Sequence, residues 1–433
     1  MILVEKHQIT KNSPFFNDCD LLSYISKNLY NSCLYYIRQH YFNNNNNLLK
    51  PKIVNGQQMD YWVFDKTELY HELKPTPEYQ THLHQEYNGY KCNTKILSNT
   101  LIQVERIFRG HVNAIKSYHK TPSKFKGKPK LPRYKDKNGR NEVTVPKQAL
   151  SFVKKKGYVR IANTNIYIKL INATEKSLKE VKIIPRANYY EILVSYEVVE
   201  SSLKSQQMTK IAGIDIGLNN LVSLSSNDTS VKPFLINGRP LKSINQYYNK
   251  KAAKMRSLLP RGIYWSNALS RLTRKRSNKI HTEMHKISTY IVNELVKNDI
   301  DTLIVGNNVG IKQGINMGSV NNQNYVSIPY YKLRKMLEYK CKRVGIRYIE
   351  TEESYTSKCS FLDMEEMKEQ VIYKGNRVHR GLFIDSCGNE INADLNGSLN
   401  IIRKVAGDYC FVYQSNIDLV EGYAVSPVKV NIK

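Results

Sequence analysis

An aspartate interrupts an apolar run at Ile214-Asp215-Ile216, directly before Gly217. Burying an unpaired carboxylate is costly, so Asp215 needs a cation, a cage of donors or a bound metal. A lone strand aspartate usually finds a lysine or a turn amide. A second acid, Asp394, lies in Asn392-Ala-Asp-Leu-Asn-Gly-Ser-Leu-Asn-Ile401, entering a helical pattern where an N-cap would be its ordinary role. Glu352 and Glu353 follow the strand-like run 346–349, where two solvated charges would be unremarkable. Taken together, three acids from distant segments, all near strand or helix ends, can converge on two divalent ions. Such ions, about 3.5–4 Å apart, clamp the attacking and leaving oxygens of a phosphodiester. Oxygen ligands favour Mg²⁺ or Mn²⁺ over zinc. The metals also reverse the local sign, which lets carboxylates face a polyanion.

The elements around these acids belong to a strongly basic chain. Its 433 residues suit two to four domains, and 66 Lys and Arg against 37 Asp and Glu give a net charge of +29. That excess points to a polyanionic partner. No run approaches ~18 apolar residues and the first residues lack a signal-peptide pattern, so nucleic acid is expected rather than a membrane. Seven cysteines without a C-x-x-C pair fit a reducing cytosol better than a disulfide framework.

Residues 1–19 read as a strand and loop. Helical spacing runs from a cap at Asp20 through His40, a second helix is predicted around 58–73, and a third over 94–118. Ten Lys or Arg and one acid, Asp136, occupy 116–140, with Pro122, Pro129 and Pro132 among them. Prolines at that density prevent a regular helix. An extended strap along a phosphate backbone is expected, with Lys124, Lys126, Lys128, Lys130 and Arg133 as contacts and Tyr118, Phe125 and Tyr134 interleaved. Alternating runs over 141–200 predict a small antiparallel β-domain. From 210 onward the pattern is hairpin, helix, strand, helix, strand, a mixed α/β sheet interrupted by the polar stretch 354–390. A basic run, 250–279, holds ten Lys or Arg and no acid. Its Arg274, Lys275 and Arg276, with Lys358 further on, are candidate nucleic-acid contacts.

Gly213-Ile-Asp-Ile-Gly-Leu-Asn-Asn-Leu and Asn392-Ala-Asp-Leu-Asn-Gly-Ser-Leu-Asn-Ile resemble the first and third RuvC motifs of the TnpB family. TnpB proteins are insertion-sequence-encoded RNA-guided DNA endonucleases related to type V CRISPR effectors and Fanzor. Ile304-Val-Gly-Asn-Asn308, Ile311-Lys-Gln313, Tyr339-Lys340, Gly345 and Glu352-Glu-Ser-Tyr-Thr-Ser-Lys358 support the resemblance, which spans about 208–405. It implies a multidomain α/β chain with an RNase H-like (RuvC) nuclease domain at 208–353 and 391–405. An N-terminal β-barrel (wedge) domain is implied at 1–19 and 121–205, with an inserted helical recognition lobe at 20–120. The stretch 354–390 corresponds to a degenerate zinc-ribbon-like insert that contacts target nucleic acid, and 406–433 to a loosely ordered tail. The implied partners are a guide RNA from the transposon end and double-stranded target DNA, in a cytoplasmic, nucleoid-associated and bacterial setting. A basic channel then holds the heteroduplex while base pairing reads sequence.

Two departures accompany the resemblance. Most relatives carry a Glu where this chain has Gly306, at the end of the strand 302–305. Some use a glutamate displaced along the chain, which fits Glu352 or Glu353. Strand alternation sends the two to opposite faces, so one is the ligand with Asp215 and Asp394, and Glu353 is preferred. The zinc ribbon of many relatives has two C-x-x-C pairs, whereas only Cys359 and Cys387 stand here. Asp363, His379 or Asp385 would have to complete a site, and structural Zn²⁺ is not expected. Thr356 and Ser357 are expected to support the site or a phosphate, and Asn396 to orient Asp394 or cap its helix. The alternative function is a catalytically inactive RNA-guided DNA-binding regulator. A DDE-type transposase shares the geometry but leaves the 352–358 run unexplained.

Overall fold

The computed structural model describes residues 1–44, 49–54, 57–62, 66–76, 92–153, 157–308, 323, 327–379, 381–411 and 426–432, in two compact units, Met1–Val198 and Val199–Lys433. The run Ile311-Lys-Gln313 lies outside the described residues.

The first unit opens with β1 (Ile2–Thr10) and α1 (Phe16–Asn43), followed by the hairpin β2 (Leu49–Val54) and β3 (Gln57–Trp62), then α2 (Lys66–Leu73) and α3 (Thr94–Lys120). Leu22, Ile25, Leu29, Cys33 and Ile37 recur at helical spacing and are buried on α1, facing Leu97, Leu101, Val104 and Phe108 of α3 within one core. The helix predicted around 58–73 is therefore half strand, because residues 57–62 pair with 49–54. Helix α1 also starts a turn before Asp20. That residue is no cap; its carboxylate takes two hydrogen bonds from Arg140 (2.9 and 2.7 Å) and one from the Tyr190 hydroxyl (2.7 Å).

The basic strap crosses α1 as an extended chain. Asn31 exchanges two hydrogen bonds with the Lys135 backbone, Lys27 reaches the Lys137 carbonyl, and Asn141 donates to the Ser23 carbonyl. Fastening through the backbone leaves Lys124, Lys126, Lys128, Lys130 and Arg133 exposed. The interleaved rings are partly engaged within the protein: Tyr118 packs edge-on to Phe125, and the Arg38 guanidinium covers Tyr134. Strands β4 (Val143–Pro146), β8 (Leu178–Pro185) and β9 (Tyr189–Glu197) join β1 in a four-stranded antiparallel sheet of order β1-β9-β8-β4. Strands β5 (Leu150–Val153), β6 (Tyr158–Ile161) and β7 (Tyr167–Lys169) form a second, three-stranded sheet, and among the described residues no pairing closes the two into a barrel.

The second unit is built on a six-stranded sheet of order β14-β13-β10-β11-β12-β18. Its strands are β10 (Ile211–Asp215), β11 (Asn220–Ser226), β12 (Phe234–Asn237), β13 (Thr302–Gly306), β14 (Arg347–Thr351) and β18 (Val428–Val430). The neighbours β10, β13 and β14 run parallel, and the hairpin β10–β11 is antiparallel. Helices α4 (Arg239–Ser257), α5 (Asn267–Lys297) and α6 (Tyr330–Arg343) follow, then α7 (Ala393–Ala406). Side chains of α5 and α6 share a core with Ala212, Ile214, Leu303 and Val305 on one sheet face. On the other face Leu399, Ile401 and Ile402 of α7 pack with Ile211 and Ile304. Between β14 and α7 a small antiparallel sheet, β15 (Asn376–His379), β16 (Leu382–Ile384) and β17 (Glu390–Ile391), forms the insert. Within the tail, β18 adds a parallel strand beside β12. Among the described residues no helix is long and apolar enough to cross a membrane.

Candidate functional site

Strand parity decides where the acids go. Side chains at 212 and 214 of β10 face α5 and α6, so 211, 213 and 215 face α7. The same alternation on β13 points 304 and 306 at α7. Glycines let that helix come close. A Cβ at Gly213 would strike the Ser398 carbonyl oxygen and Ile402, and a Cβ at Gly397 of α7 would stand 2.9 Å from Asp215 Oδ2.

Gly306 is the informative one. A Cβ there would lie 2.8 Å from Glu353 Cγ and collide with Glu353 Oε1. The Glu353 carboxylate thus fills the volume that a side chain at 306 would need, on the face shared with Asp215. Glu352 turns the other way. It is exposed and accepts from the Ser354 amide (2.8 Å) and from Lys404 Nζ (3.0 Å). Thr356 fixes the turn, its hydroxyl donating to the Glu353 carbonyl at 2.9 Å, while Ser357 is exposed.

Asp394 is relieved of capping because Asn392 does that work, its Oδ1 accepting from the amides of Asp394 (3.1 Å) and Leu395 (3.3 Å). The freed carboxylate accepts from Asn220 Nδ2 at 2.7 Å and Arg377 Nη2 at 3.2 Å. Asn396 does not orient it. Buried on the far side of α7, Asn396 binds the Phe361 amide and the Cys359 carbonyl, and Asn400 binds the carbonyls of Thr356 and Cys359. Both asparagines tie the insert to the helix.

The electrostatics are those of crowded acids. Burial, then the Asp394 charge, pushes the Asp215 carboxyl up to about 7, against the opposing pull of Arg377. Burial, then the Asp215 charge, pushes Glu353 up to about 8. Glu352, held by Ser354 and Lys404, sits below the usual carboxylate range. Among the described residues no three His, Cys, Asp or Glu side chains close around a preformed cation position. The donor set nonetheless suits a hard divalent ion, since like charges this close favour neutralisation by a cation. A groove of about 630 Å³ opens beside Asp394, lined by Asn219, Asn220, Arg239, Arg377 and Lys429 among others.

The predicted cations divide. Lys275 and Lys358 are exposed and Arg274 is half-buried. Arg276 faces inward: it donates to Asn245 Oδ1 (2.7 Å) and the Ser327 carbonyl (3.3 Å), lies 4.8 Å from the Tyr248 ring centre, and burial lowers its pKa. In the insert, the buried Cys359 thiol bonds the carbonyls of Glu366 and Lys368, and Cys387 is exposed. Asp363 and Asp385 accept backbone amides instead of joining a metal set. Arg377 and Asn220 were missed as site residues. Asn220 stands in the quoted motif, but nothing local marks Arg377 as a neighbour of Asp394.

This two-unit α/β chain matches two sequence families: OrfB_IS605, described as "Probable transposase", over residues 193–312, and the Cas12f1-like TNB domain over residues 330–401. It is 26% identical over 253 residues to the TnpB-like protein ORF457 of Acidianus two-tailed virus, covering 54% of this chain. That match takes in 52% of the viral protein, so the chain spans about half the length of the relative it matches. Among solved structures, Cas12f1 in its sgRNA–target DNA complex superposes with a TM-score of 0.50 at 15% identity, over 89% of this chain and 82% of that one, a likeness of fold. The chain is thus similar to TnpB-like proteins in the segments that hold its two motifs.

Proposed function

We propose that this protein is a transposon-associated RNA-guided DNA endonuclease, with a RuvC-like centre on β10, β13, β14 and α7. It binds a guide RNA, recognises a short flanking DNA motif and hydrolyses the target. The first unit supplies the wedge and the helical lobe, and its exposed strap lysines track a phosphate backbone. The observation that carries the reading is Glu353 seated over Gly306 on the face of Asp215. A chain that had merely lost its acid at 306 would have no reason to fill that volume with another carboxylate.

Asp215, Glu353 and Asp394 would hold Mg²⁺ or Mn²⁺, the hard ions their oxygens suit. When bound, such ions stabilise charge on the attacking and leaving oxygens. The chain's own residues bind and orient. Asn220 and Arg377 fix the Asp394 carboxylate, and Thr356 fixes the backbone that presents Glu353. Arg239, Arg377 and Lys429 give the adjoining groove the positive charge to draw in a phosphodiester strand.

The test is cleavage of a plasmid library by protein purified with its co-expressed RNA, in Mg²⁺, comparing wild type with Asp215→Ala, Glu353→Ala and Glu352→Ala. Cutting that is lost in the first two and kept in the third supports the rearranged nuclease. RNA-dependent DNA binding without cutting in the wild type would favour the regulator instead.

A further inference from the structure

The basic run 250–279, whose triplet 274–276 is only partly exposed, forms a helical hairpin with an unusual end. Helix α4 begins beside the acids, where Gly238 donates to the Asn219 carbonyl (2.7 Å) and Arg239 lines the groove at Asp394. Its 19 residues carry the chain roughly 28 Å away at 1.5 Å per residue. Helix α5 returns antiparallel: Tyr248 meets Thr273 (3.1 Å) and Asn245 meets Arg276 (2.7 Å). The tip between them is an ordered turn. Leu259 donates to the Arg256 carbonyl, Ile263 to the Pro260 carbonyl, and Gly262 takes φ +84°. Trp265 Nε1 donates to Ser270 Oγ at 2.6 Å, which fixes the indole, and Ser266 caps α5.

This turn holds apolar side chains in solvent. Tyr264 is 83% exposed, Leu258 76%, Ile263 51% and Trp265 47%. Apolar groups gathered on an ordered tip mark a contact surface. Its surroundings define the partner, because ten Lys or Arg and no acid lie between 250 and 279. Two ring faces on a preorganised turn, framed by cations, suit bases stacked on aromatics and phosphates on the flanks. The cut strand would lie at the far end of α4, so the tip serves a nucleic acid held elsewhere. Stacking on aromatic side chains is how unpaired RNA bases are usually recognised.

We propose that the α4–α5 tip is a stacking platform on which Tyr264 and Trp265 receive an unpaired or helix-terminal base of the RNA partner, with Lys250, Lys251 and Lys254 on its backbone. This rests on the reading above that the protein carries an RNA.

The sequence has two tryptophans, so Trp62→Phe leaves Trp265 as the sole indole reporter. RNA extracted from the purified complex is returned to RNA-stripped protein while emission is followed. Quenching of Trp265 is expected on binding. Tyr264→Ala should weaken binding about tenfold, the worth of one base stack. Tyr264→Phe should bind like the parent, which separates stacking from a folding defect. The salt slope should be unchanged in Tyr264→Ala and shallower when Lys250, Lys251 and Lys254 are replaced by Ala. RNA binding with an unaltered Trp265 signal and an unaltered Tyr264→Ala affinity overturns this proposal alone. Failure to bind RNA at all overturns the parent reading with it. A Trp265 shift driven by protein concentration, or by anionic vesicles instead of RNA, would give the tip to a second copy or a membrane surface and also overturn it.

Discussion

Two groups of acids in the second unit are treated in opposite ways. In the insert, Glu365 is 3% exposed and accepts the amides of Ser360 (2.8 Å) and Lys374 (3.0 Å). Asp385 accepts the amides of Cys387 (2.9 Å) and Asn389 (2.7 Å) and the Asn389 side chain. Asp363 links the two arms through the Ser386 amide and hydroxyl; burial raises its carboxyl, but hydrogen bonds from Ser360 and Ser386 hold it below the usual range. Beside α7, by contrast, Asp215 and Glu353 are pushed up by burial and by acidic neighbours. Satisfied carboxylates fasten a fold, whereas crowded ones carry an electrostatic cost that a bound cation would relieve.

Asp215→Asn tests the contrast most severely. Cleavage should fall by on the order of 10³-fold, about 4 kcal/mol of barrier. The same change should stabilise the metal-free protein at alkaline pH by on the order of 2 kcal/mol, read as a higher Tm in chelator. The sign follows from the raised carboxyls. Their contribution to folding is complete below an unfolded value near 4 and is lost as pH rises through about 7 and 8. Wild-type Tm in chelator should therefore drop across pH 5–8.5, Mg²⁺ should restore most at the high end, and Asp215→Asn should flatten the profile. A variant less stable than wild type at pH 8.5 in chelator would erase the distinction.

Glu365→Ala should act in the reverse sense, destabilising by about 2 kcal/mol because the buried Ser360 amide and the part-buried Lys374 amide lose their acceptor. Hydrogen exchange should rise in the insert first, and chelator should leave it unaffected. Gly306→Glu should cost about 1–3 kcal/mol from overpacking against Glu353 and cut no better than wild type. Adding Glu353→Gly should recover both stability and cleavage, and improved cutting by the single variant would sink the account of that volume. Glu352→Gln is the smallest change: an exposed carboxylate paired with Lys404 should matter by less than about 0.5 kcal/mol and twofold in rate.

The site was more legible in the sequence than the apparatus around it. Asp215 declared itself because an acid in an apolar strand contradicts the pattern beside it, and Asp394 because its segment matched a motif. Alternation separated Glu352 from Glu353 but did not choose between them; the neighbour at Gly306 is what sets Glu353 apart. The contacts of Arg377, Asn396 and Arg276 depend on segments brought together from 17 to 51 residues apart, and no local pattern encodes them. The boundary errors have the same origin. Residues 57–62 resemble a helix until a partner strand is present, Asp20 resembles a cap until Arg140 arrives, and the three residues of β18 carry too little pattern to declare a strand.

The volume over Gly306 also constrains descent. A glutamate at 306 and one at 353 compete for the same space, so a chain that carries both is overpacked. An ancestor moving its acid from one position to the other must cross a chain with neither or a chain with both. The first has surrendered a ligand and the second is overfilled, so neighbouring lineages on either side of that ridge would be slow to interconvert.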